Sequence, residues 1–150
     1  MGCDIHLHVE IKVKGNNEWQ HYNQPHCDRY YPLFAKMANV RNYEQYGPIE
    51  PISQPKGFPE DASLTTKFCY DYQYGDAHSA SWLNLDEIKE LSKWFNKELK
   101  KSDDYHGFES NNRFGYLFGN PFEGFNPPVK PSAGYPEDLQ DVRFVFWFDN

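Results

Sequence analysis

The stretch Asp4-Ile-His-Leu-His-Val-Glu-Ile-Lys-Val13 alternates apolar and polar side chains from end to end. Successive side chains of an extended strand point to opposite faces. Ile5, Leu7, Val9, Ile11 and Val13 therefore share one face, and Asp4, His6, His8, Glu10 and Lys12 share the other. Gly15, Asn16 and Asn17 supply turn chemistry, and residues 18–22 can return as the second strand of a hairpin. At the far end of the chain, Val142-Arg-Phe-Val-Phe-Trp-Phe148 is apolar on both faces apart from Arg143, the mark of a central strand. The first and last segments are thus expected in one sheet.

Working outward, Pro32 heads Leu33, Phe34, Met37 and Val40 at helical spacing, which predicts a helix over 32–40. Asn84 with Glu87 three residues on forms an Asn version of the capping box. Leu85, Ile88, Leu91, Phe95 and Leu99 then make an apolar stripe, predicting a second helix over 85–100. Lys97, Lys100 and Lys101 at its end complement the helix dipole. Four prolines and two glycines between Gly47 and Pro59 predict an extended, stiff loop. Residues 67–72 read as a short strand. Residues 102–141, with five glycines and five prolines among many rings, predict a small hairpin near 114–118 and ring-anchored turns. The expected fold is a single α+β domain over 1–150: a small, mostly antiparallel sheet including the first and last strands, two helices packed to one side, and long aromatic-anchored loops.

Composition sets the limits. Among 150 residues, Phe, Tyr and Trp number 27 against 20 for Val, Leu and Ile together, so rings must supply much of the core. No apolar run approaches the length needed to span a membrane. A net charge of -7 weighs against duplex nucleic acid, which calls for clustered Lys and Arg. Cys3, Cys27 and Cys69 form no CxxC pair and follow no apolar leader, which points to a reduced, cytosolic chain.

Two constellations can carry chemistry. On the first strand, Asp4, His6, His8 and Glu10 form a row. His-x-His with a carboxylate can chelate a divalent metal such as zinc, but a solvated strand face or a metal-free polar site has the same pattern. The second is Gly75-Asp-Ala-His-Ser-Ala-Ser-Trp-Leu83, read as a turn ahead of the second helix. There His78 can serve as acid, base or ligand beside two hydroxyls, unless the segment is merely a capped turn. Cys3 belongs to the apolar face and His6 to the other, which makes a thiolate–imidazolium pair between them awkward and favours a buried, inert thiol.

Met1-Gly-Cys-Asp-Ile-His6, His78-Ser-Ala-Ser-Trp-Leu83 and Val142-Arg-Phe-Val-Phe-Trp-Phe-Asp-Asn150 together resemble an uncharacterised family of small bacteriophage and prophage proteins. The segments around Phe34–Asn42 and Pro55–Asp61 are also similar. The resemblance implies a viral or mobile-element origin. It draws Asp4, His6, Arg41, His78, Ser81, Trp82, Arg143 and Asp149 into one candidate ligand set, with two arginines and two histidines suited to phosphate or carboxylate. The alternative is that Arg143 is locked to Asp4 or Asp149. The leading expectation is a phage accessory protein that binds a small polar or phosphorylated, nucleotide-like ligand, with counter-defence by sequestration as its use. The alternatives are a metal-dependent hydrolase using Asp4, His6 and His78, and a protein inhibitor or virion-associated interaction protein. Whether the chain is an enzyme stays open. Small molecules, a host protein and further copies of the chain are the partners this reading admits.

Overall fold

The computed structural model describes residues 2–25, 27, 29–101 and 138–150. Along the chain come β1 (Asp4–Val13), β2 (Gln20–Asn23), α1 (Tyr31–Ala38), a 3-10 turn at Glu44–Tyr46, α2 (Leu64–Tyr72), β3 (His78–Leu83), α3 (Leu85–Lys101) and β4 (Leu139–Asp149). The four strands form one sheet in the order β2-β1-β4-β3, antiparallel throughout. The α+β architecture is as the pattern predicts, and the first and last strands are its central pair. Their register runs from Asp4 opposite Asp149 to Val13 opposite Leu139.

The odd-numbered face of β1 meets Phe144, Phe146 and Phe148 of β4 under Leu33, Phe34 and Met37 of α1 and Ile88, Leu91 and Phe95 of α3, all buried. Pro32 sits in the first turn of α1, and Asn39 closes the helix in the left-handed conformation at φ 57. The predicted capping box opens α3: Glu87 N donates to Asn84 Oδ1 at 2.9 Å and Asn84 N donates to Glu87 Oε1 at 3.0 Å.

Three expectations need correction. Residues 67–72 belong to the helix α2, whose N-cap Ser63 accepts from Thr66 N through its hydroxyl at 3.4 Å; the local hydroxyl cap prevails over the strand propensity of Phe68, Tyr70 and Tyr72. Residues 78–83 form the edge strand β3, because β4 offers them a ladder. The described residues accordingly form three α-helices, and these do not all pack on one side. α2 lies over the polar face of the sheet, where Tyr70 meets the edge of Trp147 with centroids 5.2 Å apart. The middle of the polar face of β1 is thus interior: His8 and Glu10 are 0% exposed, while Asp4 at its end stays exposed. The hairpin expected near 114–118 lies outside the described residues.

Candidate functional site

One end of the sheet gathers five of the predicted residues. Asp149 and Asn150 are consecutive, so their side chains leave β4 on opposite faces, and each holds one histidine. Asp149 Oδ2 lies 2.7 Å from His6 Nε2. His6 also stacks along Trp147, its cross-strand neighbour, at 5.9 Å. On the other face, His78 Nε2 lies 3.2 Å from Asn150 Oδ1 and 4.0 Å from Cys3 Sγ, and His78 Nδ1 lies 3.0 Å from Ser79 Oγ.

The placement of His78 depends on a bulge. β3 spends three residue steps from His78 to Ser81 while β4 spends two from Phe148 to Phe146, and Ser79 absorbs the extra residue at φ 53. Arg41 has the same left-handed backbone, φ 53, just after α1. Its guanidinium donates to Tyr43 Oη at 2.8 Å and to Asn150 Oδ1 at 3.0 Å, over the ring of Tyr31. Non-glycine residues in this region carry strain of about 1–3 kcal/mol each, and two such residues aim Arg41 and His78 at a single amide. Cys3 is fully buried. Burial pushes its thiol up from the ordinary value, while neighbouring Arg41 pulls the other way.

Asp4 is occupied differently. Arg29 grips both of its carboxylate oxygens at 3.0 Å. Gly2 makes room for this: a Cβ there would come within 2.0 Å of Arg29 Nη1. A cavity of about 620 Å³ runs along the edge of β1 beside them, lined by residues including His6, Gln24 and Arg29.

The remaining predicted residues lie elsewhere. Arg143 is opposite Glu10, four residues along β4 from Trp147. Its Nε and Nη2 donate to Glu10 Oε1 at 2.9 and 2.7 Å, and its Nη1 donates to Asp61 Oδ1 at 2.9 Å. Glu10 Oε2 in turn accepts from Ser63 N at 2.8 Å and Thr66 Oγ1 at 2.9 Å. Burial alone would raise the Glu10 carboxyl, but these bonds from Ser63 and Arg143 outweigh it and hold the group below the usual carboxylate range. Arg143 is therefore locked as one alternative held, but to Glu10 and Asp61 instead of Asp4 or Asp149. Ser81 is fully buried and accepts the Lys56 backbone N–H at 3.0 Å, which ties the 50s loop to the edge strand. Trp82 lies under Lys56 Nζ at 4.0 Å from its ring centre.

Asp4, His6 and His78 do not converge as a metal site requires. His6 and His78 are on opposite faces of the sheet, and among the described residues no three His, Cys, Asp or Glu side chains are grouped to hold an ion. The reading of the sequence missed Arg29, Asn150 and His21, which sits with its Nε2 3.0 Å from His8 Nδ1. Strand alternation carries the signal for Asn150, since it follows Asp149 directly; Arg29 and His21 have none. No protein-family model, curated protein or solved structure matches this chain.

Proposed function

We propose that this chain binds a small phosphorylated, nucleotide-like ligand at the Arg41–His78 end of the sheet, as an accessory protein of a bacteriophage that sequesters such a molecule. The observation that carries this reading is the chemistry of Arg41's partners. Arg29 and Arg143 grip carboxylates, whereas Arg41 donates to a phenol and an amide oxygen. Among the described residues no carboxylate side chain pairs with Arg41, and its neighbours Tyr43, Asn150 and the Cys3 thiol are neutral, which is the state an incoming anion needs. His78 has neutral partners in the same way, Ser79 Oγ and Asn150 Oδ1. Tyr43, 40% exposed beside the guanidinium, offers a ring on which a base can stack.

Binding is testable by calorimetry against a panel of mono-, di- and cyclic nucleotides and inorganic phosphate. Arg41→Ala should weaken binding by about tenfold or more, the worth of one charged hydrogen-bonded contact, and His78→Ala should weaken it too. Lys97→Ala, on the exposed surface of α3, should leave it unchanged. Equal affinity in Arg41→Ala, or no binding by any phosphorylated compound, would sink the reading.

A further inference from the structure

At the end of the sheet away from Arg41 and His78 lies a cavity of about 700 Å³, within the size range of small-molecule clefts. Strand register decides what lines it, because residues directly opposite in an antiparallel pair project from the same face. Glu10 stands opposite Arg143, Lys12 opposite Asp141, and Trp82 opposite Val145. Asp141, Arg143 and Trp82 thus all rise from the face that carries His8 and Glu10. Trp19 lies over the same face, its ring centre 4.3 Å from Arg143 Cζ and 4.7 Å from Lys12 Nζ. The loop 59–61 supplies the remaining wall and is fastened on both sides. Ahead of it, Lys56 N donates to Ser81 Oγ at 3.0 Å and Gly57 N donates to Ala80 O at 2.9 Å; at its end, Asp61 Oδ1 accepts from Arg143 Nη1 at 2.9 Å. A cleft already held in shape needs little ordering when a ligand enters. Its polar groups keep hydrogen-bonding capacity in reserve. Asp61, Asp141 and Asn84 each use Oδ1, on Arg143, the Val142 N–H and the Glu87 N–H respectively. Their other polar side-chain atoms, two carboxylate oxygens and one amide nitrogen, have no partner among the described residues.

We infer that this cavity is a binding site for a neutral saccharide, which lays its C–H faces against the indoles of Trp19 and Trp82 and its hydroxyls on Asp61, Asp141 and Asn84. The charges around the cavity select a neutral occupant. Glu60, Asp61 and Asp141 repel an anion. An organic cation is refused as well, because the protein's own cations already rest on both rings: Arg143 and Lys12 on Trp19, and Lys56 on Trp82 at 4.0 Å. A wholly apolar ligand would strand the two carboxylate oxygens and the amide beneath it. A saccharide meets each condition. It carries no net charge, its hydroxyls both donate and accept as two acceptors and one donor require, and its C–H faces suit the indole surface that the cations leave open. Both tryptophans are half-buried, so such surface is available. The Arg41–His78 site plays no part in the inference.

Calorimetry on the full chain tests it, with glucose, galactose, mannose, N-acetylglucosamine and the common disaccharides built from them as probes. At least one should bind, and its affinity should change little when salt is raised about tenfold, which would not hold for a charged ligand. Trp82→Ala should weaken binding by about tenfold or more, and Asp141→Ala by about fivefold, with the circular dichroism spectrum unchanged. Trp82→Phe, which keeps a ring, should retain most of the affinity, and this separates a stacking surface from damage to the fold. Lys93→Ala, exposed on α3, should leave binding unchanged. Binding by none of these sugars, equal affinity in Trp82→Ala, or a cavity that takes spermidine or a nucleotide in place of every sugar and loses it in Trp82→Ala would each overturn the inference.

Discussion

Glu10 shows how far single residues were legible. Alternation along Asp4–Val13 places it on the polar face with His6 and His8, and that placement holds. The surroundings of that face were not legible, because burial of a polar row depends on what covers it. The covering helix keeps its own apolar residues outward. Glu10 therefore reads as a solvated carboxylate yet accepts four hydrogen bonds from Arg143, Ser63 and Thr66. Removing one partner of such a pair leaves the other charged and unpaired in the interior, which costs more than the pair itself contributes. Arg143→Ala should thus lower the unfolding free energy by about 3–5 kcal/mol, whereas Arg143→Met combined with Glu10→Leu should recover only part of that loss, because the buried Ser63 N–H and Thr66 hydroxyl then lose their acceptor. Urea denaturation of the three proteins decides it. A single variant that loses under about 1 kcal/mol would mean that the guanidinium is no structural keystone.

Among the elements, those with strong periodicity and a local stop or start signal were legible: β1, α1, β4 and α3. α2 and β3 were not, for opposite reasons. The stretch Lys67-Phe-Cys-Tyr-Asp-Tyr72 has strand-forming residues, and only the hydroxyls of Ser63 and Thr66 at the start give the helix away. The stretch His78-Ser-Ala-Ser-Trp-Leu83 has turn-forming residues, and it becomes a strand because β4 supplies a long-range partner that no local window contains. Its bulge then fixes where His78 points. Ser79 holds the left-handed conformation there, which a β-branched side chain resists. Ser79→Val should destabilise the protein by about 2 kcal/mol, and Ser79→Gly should stay within about 0.5 kcal/mol of the parent, relief of strain offsetting the lost hydroxyl and the freer unfolded chain. Thermal denaturation measures both. Full stability of the valine variant would show that the bulge can shift to another residue.

At the scale of the molecule, the sheet is enclosed on both faces by unlike layers: rings and aliphatics under α1 and α3, and a polar, hydrogen-bonded layer under α2. Such a layer makes stability depend on pH through groups that water cannot reach. His8 is fully buried between Trp147 and His21, with centroids at 4.9 and 5.2 Å, and its Nε2 meets no hydrogen-bond partner among the described residues. Burial first, and then the neighbouring His21, push its pKa down to about 4 from 6.5. Between these values the unfolded chain takes up a proton that the folded chain refuses, so stability falls as pH falls through that window, by up to about 3 kcal/mol. His21, lowered by its own burial, shifts in the same direction. Glu10, held below the usual carboxylate range, extends the loss below the window as its own charge is titrated. Urea midpoints should therefore drop steadily from neutral pH toward pH 4, and His8→Gln, which cannot titrate, should show a shallower slope over the same range. A parent profile that is flat between pH 6.5 and 4 would mean that the histidine face is open to solvent and that α2 does not seal it.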